Sequence, residues 1–392
     1  MSNELIVFDS HPVQYRVPVW RKIASQNPGS VHVIYGSDCS VRGHADTEFG
    51  VTISWDEPML EGYDHTVLNC EKGVPLSGWQ SLTGSGVGKI LDKLKPKVVL
   101  LTGLNYLYDL TAYVEARRRG IPLWLRCETQ DEAIHRSKGK GIIRSLLYRI
   151  IYQGFDRVFY IGQLNRNHYL RHGVPESKLK PARYGTVDRF IDLKEVEKKE
   201  QWKLERRKAG ISETDFVIGF SGKLIPKKNP EILFRMLDAL PDKLRARTCL
   251  YFLGSGELEQ SLRNEADKAL QKFGVRSIFA GFVNQSKLAS HYLIMDVMVL
   301  PSRRMGETWG LVANEAMQAG CGVIVSDAVG CHADFESWER FRIFPGEDAK
   351  VLANHIVDLA KLPRKFDWAA RKLQPYSITA IAEAITEEMK TI

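Results

Sequence analysis

The chain has 392 residues, of which 44% are hydrophobic and 26% charged, a composition that excludes a mostly disordered protein. Lysine and arginine outnumber aspartate and glutamate by 55 to 47, which gives a formal net charge of +8. This excess suits an anionic ligand, an acidic membrane surface or nucleic acid, and it does not choose among them. The length predicts two domains rather than one continuous hydrophobic core.

Two series of short apolar segments alternate with helical patterns. The first series has segments near residues 5, 31, 98, 122 and 157, and the second has segments near residues 216, 249, 277, 296 and 322. This alternation predicts parallel sheets with helices on both faces. The expected fold class is therefore α/β, with two doubly wound, Rossmann-like domains.

A charged stretch, RFIDLKEVEKKEQWKLERRKAGI, separates the two series and predicts a connector with a solvated helix. Because doubly wound domains bind ligands at the carboxyl ends of their strands, two facing domains predict a binding cleft between them. The predicted organisation is an N-terminal, acceptor-side domain over 1–190, a connector over 191–211, a C-terminal, donor-side domain over 212–375 and a terminal helix over 376–392.

The segment at the N-terminus, MSNELIVFDS, lacks the basic and long apolar regions of a signal peptide and predicts a buried first strand. No apolar run reaches the roughly 18 residues that a membrane-spanning helix needs. The six cysteines show no CxxC pair and no ligand-like spacing to histidines, which indicates reduced thiols in a cytoplasmic protein. They are Cys39, Cys70, Cys127, Cys249, Cys321 and Cys331.

The stretch ETWGLVANEAMQAG places Glu307 and Glu315 eight positions apart around a predicted helix. Thr308 is a candidate N-cap of that helix, and Gly320 is a candidate C-terminal stop. The two carboxylates could accept hydrogen bonds from hydroxyl groups on either side of a diphosphate. A surface glutamate pair around an ordinary helix would show the same spacing.

Backbone amides and basic side chains nearby could bind the diphosphate itself. The amides of Gly310 and Leu311 would lie at the predicted helix start. In GFSGKLIPKKNP, Lys223 and Lys228 could converge on phosphate oxygens, although a solvated basic loop is the alternative. In LGSGE, glycines would allow a ligand to approach the backbone closely.

Four ordered motifs cover most of residues 216–327: GKLIPKK, LGSGELEQSL, FAGFVNQSKLASHYLIMDVMVLPS and ETWGLVANEAMQAGCGVIVSD. Together they resemble the retaining, nucleotide-sugar-dependent glycosyltransferases of family 4 (glycosyl transferases group 1). The resemblance implies a GT-B fold, in which two Rossmann-like domains face each other across a cleft and the C-terminal helix returns to the N-terminal domain.

The resemblance also implies roles for the residues that match the motifs. Glu307 would contact the donor sugar, Glu315 would hold the ribose, and Lys223 and Lys228 would neutralise the diphosphate. Relatives often have arginine at the first basic position, and Lys223 keeps its charge but lacks the bidentate fork. The expected donor site comprises Lys223, Lys228, Gly254, Gly256, Glu307, Thr308, Trp309, Gly310, Leu311 and Glu315.

The N-terminal half contains SHPVQYRVPVW, DTEFGVTISWDEPMLEGY and RYGTVDRF, which resemble a bacterial subgroup that opens with His-Pro-x-Gln-Tyr. His11, Gln14 and Tyr15 would lie at the cleft, unless the His-Pro segment is a structural turn. In PLWLRCETQDE, Glu128 follows a strand close to Arg126 and could accept a sugar hydroxyl or the acceptor proton. A structural Arg–Glu pair explains these two residues equally well.

The expected catalytic groups are thus Glu307, Lys228, Lys223 and Glu128. The sequence contains no Asp-x-Asp motif, so we expect no metal and no cofactor, with the nucleotide-sugar as a co-substrate. The family resemblance implies same-face attack, in which the departing phosphate receives the acceptor's proton.

Residues 135–157, HRSKGKGIIRSLLYRIIYQGFDR, show an apolar stripe surrounded by basic residues. Such a helix could lie on the inner, anionic membrane surface, or it could pack its stripe on its own sheet.

The sequence therefore predicts a cytoplasmic glycosyltransferase that moves a hexose-type sugar, with a UDP-sugar favoured, to a glycan, lipid-linked or small-molecule acceptor. Its expected role is the synthesis of a bacterial surface polysaccharide or glycoconjugate. Alternatives are a nucleotide-sugar 2-epimerase and a non-catalytic nucleotide-sugar-binding protein. No nucleic-acid partner is expected, because the basic residues lack an aromatic-interleaved or helix-turn-helix arrangement.

Overall fold

The structure is a computed structural model that describes residues 4–41, 44–46, 51–53, 56–69, 76, 78–134 and 138–392. Two parallel sheets organise these residues. Their central strands are buried on both faces, which explains why segments such as LIVFD and TCLYFL are continuous apolar runs rather than alternating ones.

The first sheet has seven parallel strands in the order β5-β2-β1-β6-β7-β8-β9, and β3 and β4 form a separate antiparallel pair. The strands are β1 Leu5–Asp9, β2 Val31–Ser37, β3 His44–Asp46, β4 Val51–Ile53, β5 Asp64–Asn69, β6 Val98–Leu101, β7 Leu123–Leu125, β8 Arg157–Tyr160 and β9 Leu179–Pro181. The helices around it are α1 Val17–Gln26, α2 Val87–Leu94, α3 Leu107–Arg118, α4 Lys138–Gln153 and α5 Gln163–Arg171.

The second sheet has six parallel strands in the order β12-β11-β10-β13-β14-β15. These strands are β10 Phe216–Ser221, β11 Thr248–Leu253, β12 Arg276–Gly281, β13 Val297–Leu300, β14 Gly322–Ser326 and β15 Phe341–Phe344. The helices are α6 Glu195–Lys208, α7 Ile232–Arg235, α8 Asp242–Arg245, α9 Glu259–Phe273, α10 Gln285–Ile294, α11 Val312–Gln318, α12 His332–Phe335, α13 Ala349–Ala360, α14 Ala370–Leu373 and α15 Ile378–Met389. Short 3-10 helices cover Glu176–Lys178, Pro226–Lys228, Met236–Ala239 and Gln374–Tyr376.

The predicted α/β class with two doubly wound sheets is confirmed, and each of the ten segments named from the sequence forms a strand. The apolar runs named from the sequence do not include β5, β9, β15 or the β3–β4 pair. These are edge or near-edge strands, and β5, with the sequence DHTVLN, carries the polar residues that an edge tolerates.

Helix α15 returns to the first sheet, as expected. Ile381 of α15 and Trp20 of α1 belong to one buried core cluster. Near the end of α15, Glu388 accepts a hydrogen bond from Arg157 at 2.6 Å and pairs with Lys180 at 2.6 Å. The last helix of the chain is therefore an integral part of its first half.

The chain passes from the first half to the second and later returns, and the two connecting segments lie side by side. Thr186 forms a parallel bridge with Ser377. Beside this seam, the indole of Trp309 stacks on Tyr376 with ring centroids 6.1 Å apart. A Cβ atom at Gly162 would lie 2.1 Å from the indole, so the two halves are in close contact here.

The predicted solvated helix in the connector is α6, but the expectation of full solvation was wrong. Arg206 is fully buried and forms an ion pair with Asp296 at 2.6 Å, and it donates to the carbonyl oxygen of Ile294 at 2.9 and 3.0 Å. Lys198 is also buried and pairs with Asp367 at 2.6 Å. Opposite charges distant in sequence thus anchor a helix whose composition resembles an exposed one.

The described cysteines are free thiols in or near the core, and burial raises the pKa of each of them. Cys70 lies outside the described residues, as do residues 47–50 and 54–55 of the segment DTEFGVTISWDEPMLEGY and residues 135–137 of the basic stretch. Within the described part of the chain, every helix is too short or too polar to cross a bilayer.

Replacing Arg206 by methionine should destabilise the protein. The change removes the cation and leaves Asp296 with a weaker set of partners in a buried environment, which typically costs about 3 kcal/mol. We expect a clear drop in melting temperature by calorimetry, whereas Arg207→Met, at an exposed neighbour on the same helix, should change it little. Equal melting temperatures for the two variants would contradict the anchoring role.

Candidate active site

Both sheets reverse their strand order at one point, and the loops that follow meet in space. The reversal lies between β1 and β6 in the first sheet and between β10 and β13 in the second. Doubly wound folds bind ligands outside the carboxyl ends of the strands at such points. The loops after β10 and β13 carry Lys228 and Glu307, and the loop after β1 carries Tyr15.

A cavity of about 300 Å³, here called the first cavity, lies between these loops. Its wall comes from both halves of the molecule, so it is complete only when they face each other. The residues from the first half are Gln14, Tyr15, Glu57, Glu128, Tyr184, Thr186 and Val187, and those from the second half are Ser221, Gly222, Lys228, Leu253, Gly254, Phe282, Val283, Gln285, Leu288, Tyr292, residues 307–312 and Glu315.

Lys228 and Glu307 form an ion pair in the wall of the first cavity. Ser302 donates to the same Glu307 oxygen, Oε2, at 3.0 Å. Burial would raise the pKa of Glu307, but the charges of Lys228 and Lys227 and the hydrogen bonds from Lys228 and Ser302 lower it below the ordinary value of 4.5. Glu307 is therefore ionised at neutral pH, beside a cation.

Glu315 is held in a different way. Tyr292 donates to its Oε2 atom at 2.8 Å, and Gln285 donates to its Oε1 atom at 3.3 Å. Ser221 in turn contacts the Tyr292 hydroxyl at 2.8 Å. Burial raises the pKa of Glu315, and the two hydrogen bonds only partly oppose this effect. Neutral donors thus present this carboxylate to the cavity.

Two glycines allow the strand-end loops to pack against one another. A Cβ atom at Gly254 would lie 2.0 Å from the carbonyl oxygen of Gly222. At Gly310, where φ is +95°, a Cβ atom would lie 2.7 Å from both Leu300 and Val329. A side chain at either position would separate the loops that form the cavity.

The predicted helix start was wrong. Thr308 is not the N-cap, because α11 begins at Val312 with Leu311 in the N-cap position. Residues 307–311 form a loop, and the positive φ of Gly310 is incompatible with a continuous helix. The predicted stop is confirmed, since Gly320 adopts φ of +79° just after the helix ends.

A second cavity of about 370 Å³ adjoins the first. Tyr15, Glu128 and Thr308 line both cavities, so the two form one continuous cleft. The other lining residues are mostly polar and come mainly from the first half: Ser10, Arg16, Thr102, Gly103, Leu104, Asn105, Tyr106, Asp109, Cys127, Thr129, Gln130, Ala133, Ile134 and Arg144, with Gly306 from the second half.

Glu128 lies at the junction of the two cavities. It accepts hydrogen bonds from the hydroxyl of Tyr184 and, at 3.5 Å, from the hydroxyl of Thr308. Arg126 and Glu128 do not form the structural ion pair that was the alternative. Arg126 instead donates to the carbonyl oxygen of Ala182 at 3.1 and 3.3 Å.

A buried ion pair that the sequence analysis missed supports the junction. Arg16 donates to Asp9 at 2.7 Å and to Thr102 at 2.8 Å, which joins the loop after β1 to the end of β6. Beside it, burial and the charge of Glu128 raise the pKa of Tyr15 to about 12, so its hydroxyl stays protonated. The sequence does contain a signal for this ion pair: Asp9 ends the first strand, and Arg16 follows seven positions later.

Four predicted residues line neither cavity: His11, Arg126, Lys223 and Gly256. Trp309 lines the first cavity, but its indole is almost fully buried and its Nε1 donates to Asn314 at 2.9 Å. The other predicted residues line the cleft. Tyr184, Tyr292 and Ser302 are contributors that the sequence analysis did not single out, because their role depends on contacts distant in sequence.

One group of described residues has the spacing of metal ligands, and it lies outside both cavities: Asp131, His168 and His172. Both ring nitrogens of His168 already have protein partners, Asp131 at 2.8 Å and the hydroxyl of Tyr152 at 2.9 Å. Arg171 also donates to Asp131 at 2.8 Å. These hydrogen bonds account for the arrangement of His168 and Asp131 by protein contacts.

Comparison with known proteins identifies the segment that carries most of the first cavity. Residues 202–373 match the family model of glycosyl transferases group 1. This segment contains both halves of the Lys228–Glu307 pair, as well as Glu315.

Two relatives illustrate the sequence similarity. An uncharacterised glycosyltransferase, MJ1607, from Methanocaldococcus jannaschii is 35% identical over 127 residues, which are 32% of this chain and 30% of that protein. A D-inositol 3-phosphate glycosyltransferase from Streptomyces coelicolor is 29% identical over 196 residues, 47% of this chain and 42% of that protein. The chain thus spans less than half the length of these curated relatives.

The structural similarity extends over the whole chain. Anabaena Alr3699/HepE, solved in complex with UDP, matches 99% of this chain and 100% of its own with a TM-score of 0.71 and 16% identity. The same protein in complex with UDP-glucose matches with a TM-score of 0.67. The chain therefore has the GT-B fold.

The Glu307 carboxylate should make the stability of the protein depend on pH. Because its folded-state pKa lies below the unfolded value, its contribution is present above about pH 4.5 and is lost as the pH falls through the folded-state pKa. The melting temperature of Glu307→Gln should therefore lie below that of the wild type at pH 7, and the difference should shrink as the pH falls below about 4.5.

Glu336→Gln, at an exposed glutamate, is the matched control and should show a much smaller difference at every pH. A difference between wild type and Glu307→Gln that stayed constant from pH 7 downwards would show that the Glu307 charge is not responsible.

Proposed function

We propose that this chain is a retaining, metal-independent glycosyltransferase that moves a hexose-type sugar from a UDP-sugar to a glycan, lipid-linked or small-molecule acceptor. One observation carries the proposal: Lys228, Glu307 and Glu315 line a single cavity at the switch point of a segment that matches glycosyl transferases group 1. We further propose a cytoplasmic protein that acts in the synthesis of a bacterial surface polysaccharide or glycoconjugate.

The donor would occupy the first cavity. Lys228 is the cation that would shield the diphosphate, and the backbone at Gly222, Gly254 and Gly310 lines the same cavity. Glu315, presented by neutral donors, would accept hydrogen bonds from the ribose hydroxyls. The complexes of HepE with UDP and UDP-glucose support UDP as the nucleotide.

The acceptor would occupy the second cavity and reach the sugar at the junction. In same-face attack, the acceptor oxygen bonds to the anomeric carbon while the bond from that carbon to the phosphate oxygen breaks. The acceptor's proton passes to the departing phosphate. Lys228 would stabilise the charge on the leaving UDP, and Glu307 and Glu128 would hold sugar hydroxyls from opposite sides.

The second cavity favours transfer over epimerisation. A 2-epimerase needs space for its donor alone, whereas here a polar cavity of about 370 Å³ opens beside the first one and shares Glu128 with it. A non-catalytic nucleotide-sugar-binding protein would likewise need no space for an acceptor.

Replacing Lys228 by alanine should weaken the binding of UDP about tenfold, because a charge-assisted contact to the diphosphate is lost. We expect UDP to raise the melting temperature of the wild type with or without magnesium, and to raise that of Lys228→Ala less. Lys243→Ala, at an exposed lysine, should behave like the wild type. Equal UDP affinity by calorimetry for all three proteins would remove Lys228 from the donor site.

Replacing Glu307 by alanine should reduce sugar transfer at least about a hundredfold and leave UDP binding intact or slightly tighter. UDP binding should persist because the substitution removes the negative charge beside Lys228, which leaves the ammonium group of Lys228 available to the diphosphate. Transfer is measured as product formed from UDP-glucose with a panel of acceptors, and UDP binding by calorimetry.

Glu336→Ala serves as the control for this variant. Retained transfer in Glu307→Ala would defeat the assignment of Glu307. In the wild-type reaction, proton NMR of the product reads the anomeric configuration, and an inverted product would contradict same-face attack.

A further inference from the structure

Helix α4 exposes a continuous apolar face. Ile142, Ile143, Leu146, Leu147 and Ile150 are between 53% and 68% exposed. Their positions recur at helical spacing, so they lie on one side of the helix. Five adjacent large apolar side chains in water are unusual and indicate an interaction surface.

The alternative that the apolar stripe packs on its own sheet holds for only a small part of it. Ile151 is partly buried against the core of the first half, and Tyr152 belongs to that core. These two residues attach α4 to the domain. The exposed face therefore points away from the protein, on the side of α4 opposite these two residues.

The charge of α4 matches an anionic partner. Its sequence, KGKGIIRSLLYRIIYQ, contains four basic residues and no acidic one. Basic residues beside an apolar face are typical of helices that lie in the interface of anionic membranes.

The same surface continues to the rim of the second cavity. Arg144 of α4 and Ile134 both line that cavity. Ile134 forms a bridge with Met305 across the two halves, and these two side chains are 43% and 57% exposed. The apolar face and the mouth of the second cavity therefore lie on neighbouring parts of the molecule.

We infer that α4 binds the surface of an anionic phospholipid bilayer, with its exposed apolar face in the boundary between headgroups and acyl chains. The helix has 16 residues and is about 24 Å long, which suits lying along a bilayer surface. Bound in this way, the chain would hold the mouth of its second cavity close to the lipid headgroups. The inference does not depend on the proposed sugar transfer.

A second copy of the chain is a less suitable occupant of this face. Two α4 helices packed together would bring Arg144 and Arg149 of one copy towards those of the other, with no acidic residue on either helix to balance them. An anionic lipid surface supplies the missing negative charge.

The test is sedimentation of the full chain with vesicles of phosphatidylcholine alone or of phosphatidylcholine mixed with phosphatidylglycerol. We expect binding to the mixed vesicles that weakens as salt increases. Ile143→Ser combined with Leu147→Ser should reduce this binding roughly tenfold or more. The matched control is Ile191→Ser combined with Val196→Ser, which changes two apolar side chains outside α4 that are even more exposed, at 73% and 71%.

Because all four side chains are exposed, both double variants should melt at the wild-type temperature and bind UDP as the wild type does. Binding that is lost in the α4 variant and kept in the control supports the inference. Three results would overturn it: no binding to the mixed vesicles, equal binding by both variants, or a wild-type dimer in light scattering that the α4 variant fails to form. If the protein did not transfer sugar, the vesicle-binding results and what they say about α4 would be unaffected.

Discussion

The geometry of the candidate site depends on how one indole ring is packed between the two halves of the molecule. Trp309 stacks on Tyr184 with ring centroids 6.1 Å apart, and its Nε1 atom donates to Asn314, whose own amide donates to the carbonyl oxygen of Tyr184 at 3.2 Å. Trp309 is two residues from Glu307, and the Tyr184 hydroxyl donates to Glu128. The same contact therefore fixes an acidic group from each half relative to the other.

The two glutamates of the first cavity illustrate how the environment gives one residue type two kinds of behaviour. Glu307 sits beside a cation, and its pKa is lowered despite burial. Glu315 is buried among neutral donors, and its pKa is raised. One carboxylate is thus a fixed negative charge, and the other is a hydrogen-bonding group whose charge is less favoured. Such a division suits a ligand that has a charged part and a hydroxyl-rich part.

Most of the fold could be predicted because central strands of parallel sheets are continuous apolar runs. Edge strands with polar sequences, such as β5, lack that signal and were missed, whereas the edge strand β12 contains the apolar run SIFA and was predicted. Within the site, Lys228 and Glu307 were identified in loops that follow strands, and Glu315 was identified by its spacing from Glu307 in ETWGLVANEAMQAG. Their partners could not be predicted, because Lys228 and Glu307 are 79 positions apart and only the folded chain brings them together. Likewise, helical periodicity revealed the apolar stripe of α4 but not which side of the helix faces water.

The position of α15 has a consequence for how the protein is made. Its apolar side chains complete a core whose other members include the first strand, so that core contains both the earliest and the latest parts of the chain: Ile381, Ala382, Ile385 and Met389 pack with Leu5, Val7 and Trp20. During synthesis the first half emerges from the ribosome long before its last helix. It lacks these side chains until Met389 has been translated, and the apolar surface that they cover stays exposed until then.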